Sequence, residues 1–398
     1  MIVDIILALQ IVNKVGAATM LTTIDELYQF LQARKGLGIR LGLTRMEKML
    51  DMLNHPEERL KAVHIAGTNG KGSTLTFIKQ ALIENGYTVG TFTSPSITFH
   101  EHIHINDLAI SDESLLEVVN QLFPIVEHLD QSGDPPTEYE LLVIIAILYF
   151  VENVDIALVE TNMGGRDDST NCLKPILTVI TNIGMDHTSF LGENKRDIAV
   201  HKAGIIKRDI PVIIGEINAE ALEVILNEAY QKNAPIYRLS DRFFIKNLKL
   251  DYKDRETFTF LTDDITITNI TLSLKGKHQV TNATLACMAL VLLNQLDYKV
   301  TSTAIRQGLK QASIPGRFEI LQDKPPIIVD GAHNLEGLKT FNETIERLYS
   351  GRKKQILFSA FKDKPVDEMV EELLGSFDQI TLTTFKHPRA INPSYLST

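Results

Sequence analysis

Cysteine is scarce in this sequence, and so are long apolar runs and an excess of positive charge. Two cysteines among 398 residues, Cys172 and Cys287, provide no disulfide framework, and we expect a reducing compartment, the cytoplasm. The formal net charge of −10 argues against nucleic acid or an anionic membrane as the main partner. The longest apolar run, residues 141–151, is too short to span a bilayer and predicts a buried helix.

What remains is the composition of an ordinary soluble protein, with 44% hydrophobic and 23% charged residues. The length allows two or three domains with a sizeable core. Residues 2–12 are apolar, but Asp4 interrupts them and no basic segment precedes them, which disfavours a signal peptide. We treat residues 1–20 as an N-terminal extension, either an extra helix or the product of a start site upstream of Met20.

The most informative stretch is residues 64–74, His-Ile-Ala-Gly-Thr-Asn-Gly-Lys-Gly-Ser-Thr. Residues 62–66 predict a buried strand, and the apolar spacing after the glycines predicts a helix. A strand, a glycine-rich turn and a helix N-terminus direct backbone N–H groups at a phosphate. Lys71 can reach the β- and γ-phosphates, and Ser73 or Thr74 can offer a hydroxyl to magnesium. Although Gly72 departs from the usual P-loop spacing, a nucleoside triphosphate site is favoured over a glycine turn without a nucleotide.

The order of predicted elements indicates an α/β protein with a doubly wound parallel sheet. In such a sheet, binding sites lie at the C-terminal ends of the strands. Period-two alternation within residues 236–275 predicts a small antiparallel excursion from this P-loop domain. Beyond a linker at residues 315–317, three predicted strands and two helices indicate a smaller Rossmann-like domain with a three-stranded core. The predicted boundaries are an N-terminal extension, a central domain and a C-terminal domain, at residues 1–20, 21–313 and 314–398.

Polar residues follow several of the predicted strands. Glu160 ends its strand as a magnesium-binding Walker-B carboxylate does, although a strand-terminal glutamate without a phosphate loop nearby is more often simply solvated. A lone histidine such as His187 is usually a surface residue, and Lys202 by itself would be assigned to a solvated helix face. Asp330 and His333 follow the first strand of the second domain and can face the nucleotide across a cleft.

Residues 67–74 resemble the ATP loop of the Mur ligase superfamily, in the form carried by folylpolyglutamate synthase/dihydrofolate synthase. Further motifs of that family follow in the same order, from about residue 21 to residue 390, and their number and order make the resemblance specific. They are Thr93-Ser94-Pro95, residues 160–171, Asp186-His187, residues 202–207, residues 278–283, residues 315–319 and residues 330–334.

The resemblance implies roles for individual residues. The implied ATP-binding residues are Gly67, Thr68, Asn69, Gly70, Lys71, Gly72, Ser73, Thr74, Asn282, Arg317, Asp330 and His333. Two magnesium ions are implied, one held by Ser94 and Glu160 with Ser73 as a further hydroxyl. The second would be bound by Glu160, His187 and a carbamate formed on Lys202, which supplies oxygen ligands to a hard cation. The implied catalytic residues are Lys71, Glu160, His187 and Lys202.

The implied activity is an ATP-dependent amide ligation that adds L-glutamate to tetrahydrofolate or folylpolyglutamate through an acyl phosphate. The same chemistry would join dihydropteroate to glutamate. We expect a monomer that binds neither nucleic acid nor membrane. Two alternatives stay open: a nucleotide-binding paralogue with impaired catalysis, and a Mur-type cell-wall ligase, which the absence of a UDP-binding domain before the ATP loop disfavours.

This sequence departs from the family pattern in two places where the pterin would approach, which bears on substrate preference. Ser96 stands where many members have histidine, and Glu101-His102 stands where Glu-Arg is frequent. The sequence also ends soon after Pro388-Arg389-Ala390, where members usually continue through one more helix and strand. We therefore expect the second domain to be the less stable of the two.

Overall fold

The computed structural model describes residues 20–94 and 98–393. The predicted N-terminal extension, apart from Met20, and Ser96 lie outside the described residues. The α-helices are α1 (Ile24–Lys35), α2 (Thr44–Met52), α3 (Lys71–Glu84), α4 (Asp112–Gln131), α5 (Glu138–Asn153), α6 (Thr188–Leu191), α7 (Lys195–Ala203), α8 (Ala219–Gln231), α9 (Lys277–Gln295), α10 (Ser302–Gln311), α11 (Leu335–Tyr349) and α12 (Val366–Leu374). Short 3₁₀ turns occur at Pro56–Glu58, His100–His102 and Ser169–Cys172. No described helix is long and apolar enough to cross a membrane.

The strands of the described residues form one large sheet and three small ones. They are β1 (Ala62–Ala66), β2 (Val89–Phe92), β3 (Ile103–Ile105), β4 (Leu108–Ala109), β5 (Ile156–Glu160), β6 (Leu177–Ile180), β7 (Val212–Ile214), β8 (Ile236–Arg238), β9 (Phe243–Leu250), β10 (Glu256–Thr262), β11 (Thr266–Thr271), β12 (Glu319–Asp323), β13 (Pro326–Val329), β14 (Gln355–Phe358) and β15 (Gln379–Leu382). The large sheet has the order β4-β3-β2-β5-β1-β6-β7-β8, and β1 lies between β5 and β6. Six neighbouring strands of this sheet are parallel, namely β2, β5, β1, β6, β7 and β8. Strands β3 and β4 pair antiparallel at the edge next to β2.

Helices cover both faces of the large sheet, so β1 and β5 are buried along their whole length. Val63 and Ile65 pack into a core with α3, α9 and the aromatic side chains of β10. Ala62 packs on the opposite side with α1, α4 and α5, as the alternation of side chains along a strand requires. The predicted doubly wound α/β class is confirmed.

The antiparallel excursion is smaller than the sequence predicts. Ile236–Arg238 pairs in parallel with Val212–Ile214 and forms the edge of the large sheet. The antiparallel sheet begins only at Phe243 and has the order β11-β10-β9. The sequence pattern did not predict the β3–β4 hairpin, whose strands are three and two residues long and are joined through Asn106 in the left-handed region.

The described part of the C-terminal domain does not contain the predicted three-stranded core. Among its described residues, β13 pairs with β12, whereas β14 pairs with β15 in a separate two-stranded sheet. Because β12 ends only a few residues before β13 begins, the pairing of these two strands costs little loop-closure entropy. The core of this domain consists of Leu338, Phe358, Ala360, Val366, Met369 and Leu373 with partly buried neighbours.

Candidate active site

The glycine-rich loop connects β1 to α3 at the C-terminal edge of the large sheet. Gly70 lies in the left-handed region with φ +84°, immediately before Lys71 begins the helix. A Cβ at this position would overlap Oδ1 of Asn282, so glycine allows the loop to approach α9. The Lys71 ammonium donates to the carbonyl oxygens of Gly67 (3.0 Å) and Thr68 (3.4 Å) and therefore lies over its own loop.

The segment after β6 holds this loop in place. Oδ1 of Asn182 accepts hydrogen bonds from the backbone N–H groups of Thr68 (3.1 Å) and Asn69 (2.9 Å). The Thr181 hydroxyl donates to the Asn69 carbonyl oxygen (2.6 Å), and the Thr68 hydroxyl accepts from the N–H of Gly184 (2.9 Å). Sequence reasoning missed Thr181 and Asn182, although two polar residues directly after a buried strand were a usable signal.

Glu160, the last residue of β5, presents a buried carboxylate beside the loop. Glu160 is only 2% exposed. Its Oε1 accepts a hydrogen bond from the backbone N–H of Ser94 (2.6 Å), and the Ser94 hydroxyl lies 3.5 Å from the same oxygen. Burial raises the pKa of Glu160, although Lys71, the Ser94 N–H and Arg317 act to lower it. A carboxylate and a hydroxyl in a desolvated site suit a hard cation such as magnesium, and these residues therefore fit the metal that the sequence motifs imply.

Lys202 and His187 lie on the same side of the cleft. Lys202, in α7, is 4% exposed, and burial together with the charge of Lys71 lowers its pKa to about 7. His187 precedes α6 in the left-handed region (φ 50°), and burial lowers its pKa. Within the described ranges, His55, Glu57 and Glu58 are the one compact group of three His, Cys, Asp or Glu residues, and they lie outside the cleft.

A loop after Glu160 is organised by a residue that the sequence analysis did not single out. The buried carboxylate of Asp168 accepts from the N–H groups of Asn162 (2.9 Å) and Met163 (2.8 Å) and from the Thr170 hydroxyl (2.6 Å). Burial raises the pKa of Asp168, although these hydrogen bonds act to lower it. The bonds fold the chain back immediately after Glu160 and so fix the direction in which the strand end leaves the sheet.

The second domain contributes the loop that follows β13. The Asp330 carboxylate accepts from the N–H groups of Phe318 and Ala332, both at 2.8 Å. Burial raises the pKa of Asp330, although these hydrogen bonds and the charges of Arg317 and His333 act to lower it. Nδ1–H of His333 donates to the carbonyl oxygen of Gly331 (2.9 Å), which leaves Nε2 directed away from its own loop.

The two domains contact each other across the phosphate loop. The side-chain amides of Asn69 and Asn334 exchange hydrogen bonds of 3.4 and 3.0 Å. Asp186 accepts from Asn334 (3.2 Å) and forms an ion pair with Lys364, and both members of that pair are only 8% exposed. Although burial opposes it, the Lys364 contact and the adjacent His187 lower the pKa of Asp186 to about 2. The sequence motif of residues 330–334 includes Asn334 without assigning it a role, and sequence reasoning missed Lys364; their partners are more than a hundred residues away.

These groups line one cleft of about 660 Å³ between the domains. The structure brings together nearly all of the predicted site residues, namely Gly67, Thr68, Asn69, Gly70, Lys71, Gly72, Ser73, Ser94, Glu160, His187, Lys202, Asn282, Arg317, Asp330 and His333. Thr74 is the exception, because it is fully buried and lies outside the cleft lining. Of the two hydroxyls that the sequence left open for magnesium, only that of Ser73 is on the cleft side.

His102, one of the residues that depart from the family pattern, hydrogen bonds the Thr93 carbonyl oxygen (2.8 Å).

The fold and the cleft define a two-domain ligase of the Mur type. The Mur ligase middle domain matches residues 65–290, and the Mur ligase glutamate ligase domain matches residues 316–398. The dihydrofolate synthase/folylpolyglutamate synthase of Bacillus subtilis is 43% identical over 376 residues, covering 93% of this chain and 87% of that protein. The folylpolyglutamate synthase of Lacticaseibacillus casei is 33% identical over 353 residues, covering 87% and 82%.

Solved structures agree with these sequence matches. A complex of folylpolyglutamate synthase with AMPPCP and folate has a TM-score of 0.83 at 32% identity, covering 91% of this chain and 89% of that one. The Mycobacterium tuberculosis folylpolyglutamate synthase complexed with ADP and AMPPCP has a TM-score of 0.86 at 29% identity, covering 94% and 85%. The chain therefore belongs to the folylpolyglutamate synthase/dihydrofolate synthase family of Mur ligases.

Proposed function

We propose that this protein is an ATP-dependent ligase that adds L-glutamate to tetrahydrofolate and its polyglutamates, and that it also joins dihydropteroate to glutamate. The observation that carries the proposal is the cleft in which the phosphate loop and Glu160 of one domain face Arg317, Asp330 and His333 of the other. Relatives named for both activities, and one solved as a complex with AMPPCP and folate, support it.

The chemistry requires activation of a carboxylate, because oxide is a poor leaving group. ATP transfers its γ-phosphoryl group to the carboxylate of the folate substrate and leaves as ADP. Lys71 and Arg317 are the cations on the two sides of the cleft that can neutralise the phosphate charge that develops. The glutamate amine then attacks the acyl carbon, the C–O bond to phosphate breaks, and inorganic phosphate leaves as the amide forms.

Magnesium bound in this cleft would act as a Lewis acid on the phosphate oxygens. Ser94 and Glu160 would hold one ion, with the Ser73 hydroxyl close by. We propose that Glu160, His187 and carbamylated Lys202 hold a second. The Lys202 amine would form a C–N bond to carbon dioxide and release one proton.

Three observations support this assignment of Lys202. Its amine is buried beside the cleft. It donates no hydrogen bond to a described residue. No third His, Cys, Asp or Glu of the described chain completes a compact cluster with Glu160 and His187.

An acyl phosphate hydrolyses in water, so the reaction needs a closed cleft. Asn69 with Asn334 and Asp186 with Lys364 join the domains directly beside the phosphate loop. We place the enzyme in the cytoplasm, which supplies ATP, folate and glutamate. We propose a monomer, because both walls of the cleft come from one chain.

Steady-state ADP release tests the proposal. ADP should form only when tetrahydrofolate and L-glutamate are both present, and mass spectrometry should show a folate product longer by one glutamate. Parallel reactions should contain dihydropteroate, or a UDP-linked muropeptide in place of the folate. Turnover with the muropeptide and none with either pterin substrate would identify a cell-wall ligase. Nucleotide binding without ADP release under any of these conditions would identify a catalytically impaired paralogue.

A further inference from the structure

The turn that connects α2 to β1 carries the compact histidine–carboxylate group that lies outside the cleft. One ligand atom from each of His55, Glu57 and Glu58 lies within 4.8 Å of the other two. Nδ1 of His55 and Oε1 of Glu57 are 3.1 Å apart. Two ligands of one tetrahedral zinc ion, each about 2.1 Å from the metal, are about 3.4 Å apart. The His55–Glu57 pair therefore already has nearly the spacing that a shared ion requires.

Glu57 is the member of this group whose surroundings indicate a bound cation. The residue is only 3% exposed, and its Oε2 is buried without a hydrogen-bond partner among the described residues. Its other carboxylate oxygen, Oε1, faces the His55 imidazole. A buried acceptor in this state costs free energy unless a donor or a cation satisfies it. A cation bound between the imidazole and the carboxylate would satisfy both oxygens of Glu57.

The second ring nitrogen of His55 is held by Asp51, at the end of α2. Oδ1 of Asp51 lies 3.2 Å from Nε2. A metal-bound histidine almost always donates its other ring N–H to a carboxylate or carbonyl oxygen in this way. An imidazolium that donates to both Asp51 and Glu57 would also satisfy the two ring nitrogens. That arrangement leaves Oε2 of Glu57 unsatisfied and does not use Glu58, whereas a metal ion at Nδ1 accounts for both.

Glu58 extends the donor set on the exposed side of the turn. Its carboxylate pairs with Lys174, and the two side chains are 50% and 64% exposed. An ion pair this exposed contributes little to stability, so a metal ion can replace the lysine ammonium at small cost. One imidazole nitrogen with two carboxylates, and a fourth position for water, is a donor set that suits zinc. Magnesium prefers ligands that are all oxygen.

We propose that His55, Glu57 and Glu58 bind a zinc ion, with Asp51 orienting the histidine and Lys174 pairing with Glu58 when no metal is bound. The ion would fix the turn that precedes β1, the strand that leads into the phosphate loop. The site takes no part in the ligation chemistry, and this inference does not rest on the proposed ligase function.

Isothermal titration of the untagged, metal-free protein with zinc chloride alone tests the assignment. D51N should weaken zinc binding about tenfold, because it removes only the carboxylate that orients the histidine. H55Q removes a ligand and should weaken binding further. K174Q should bind zinc more tightly than the wild type, because it removes the internal competitor for Glu58. H128Q replaces an exposed histidine of α4 and should behave as the wild type.

These variants change side chains at the surface of the turn, so the test does not depend on a substitution at the buried Glu57. H187Q, in the cleft, separates this site from the proposed magnesium site. The expected result is one zinc-binding event that H187Q keeps and H55Q loses. A wild-type protein that binds no zinc, or H55Q with the wild-type zinc affinity, would overturn the assignment. Zinc binding that H187Q loses and H55Q keeps would place the ion in the cleft and also overturn it.

Discussion

The two walls of the cleft are built in different ways. On the central domain, Glu160 ends a strand that is buried along its whole length, in a sheet of eight strands covered on both faces. On the C-terminal domain, Asp330 follows β13, where Ile327 and Val329 are 47% and 42% exposed and the only paired strand among the described residues is β12. We infer that the central wall holds the reacting groups in fixed positions, whereas the C-terminal wall supplies loops that close over them.

The largest effect should come from the central wall. Lys202→Ala should reduce ligation by more than about a hundredfold, because it removes a ligand of the proposed second magnesium, and short carboxylic acids should restore part of the activity. ADP release with and without added acetate measures both effects. Arg196→Ala, on the exposed side of the same helix, is the matched control. Full turnover of Lys202→Ala without any added acid would rule out the metal role.

The next largest effect should come from adding a side chain at Gly70 in the phosphate loop. Gly70→Ala should weaken ATP binding at least about tenfold, because its Cβ would overlap Asn282 and its φ of +84° disfavours a side chain. Gly86→Ala is a close control, since Gly86 has a φ of +90° but nothing within 4 Å of its Cβ. Titration with a fluorescent ATP analogue separates the two. Equal nucleotide affinities in both variants would show that the overlap with Asn282 is not what requires glycine.

A smaller effect should follow from uncoupling the walls. Lys364→Met removes the lysine that pairs with the buried Asp186 carboxylate and should lower kcat/KM by about tenfold, since a buried charge that loses a charged partner is costly. Asp186→Asn and the double variant complete a thermodynamic cycle. Lys195→Met removes the exposed interdomain pair with Glu336 and should cost far less. Additive losses in the cycle would mean that the two residues act independently and that this contact does not couple the domains.

The central wall could be predicted from the sequence, whereas the contacts between the walls could not. The phosphate loop, the strand at residues 62–66 and Glu160 at its strand end depend on short contiguous patterns, and each lies where predicted. Asn69 meets Asn334 across 265 residues of sequence, and no local pattern encodes such a pairing. The same reason explains the wrong prediction of a three-stranded C-terminal core. Periodicity identifies a strand, but the choice of partner depends on the packing of the whole domain.

The two walls should also differ in stability. Among the described residues, the core cluster of the C-terminal domain has six buried members, whereas each of the three clusters of the central domain has at least 16. Less buried apolar area means less hydrophobic stabilisation, at about 25 cal/mol per Å². The C-terminal domain should therefore unfold first in a calorimetric scan, as a separate transition of lower enthalpy.

Mg-ATP should shift that first transition upwards, because its proposed ligands Asp330 and His333 lie beyond the linker while Lys71 lies in the central domain. A ligand that binds only the folded cleft at a hundred times its Kd stabilises it by about 2.7 kcal/mol. Gly70→Ala, with weakened ATP binding, is the matched control and should show little nucleotide-dependent shift. The interdomain contacts, including the pair of Arg347 with the buried Glu256, act in the opposite direction by coupling the two domains. A single transition that Mg-ATP does not move would show that this coupling outweighs the difference in burial and that the two walls unfold as one unit.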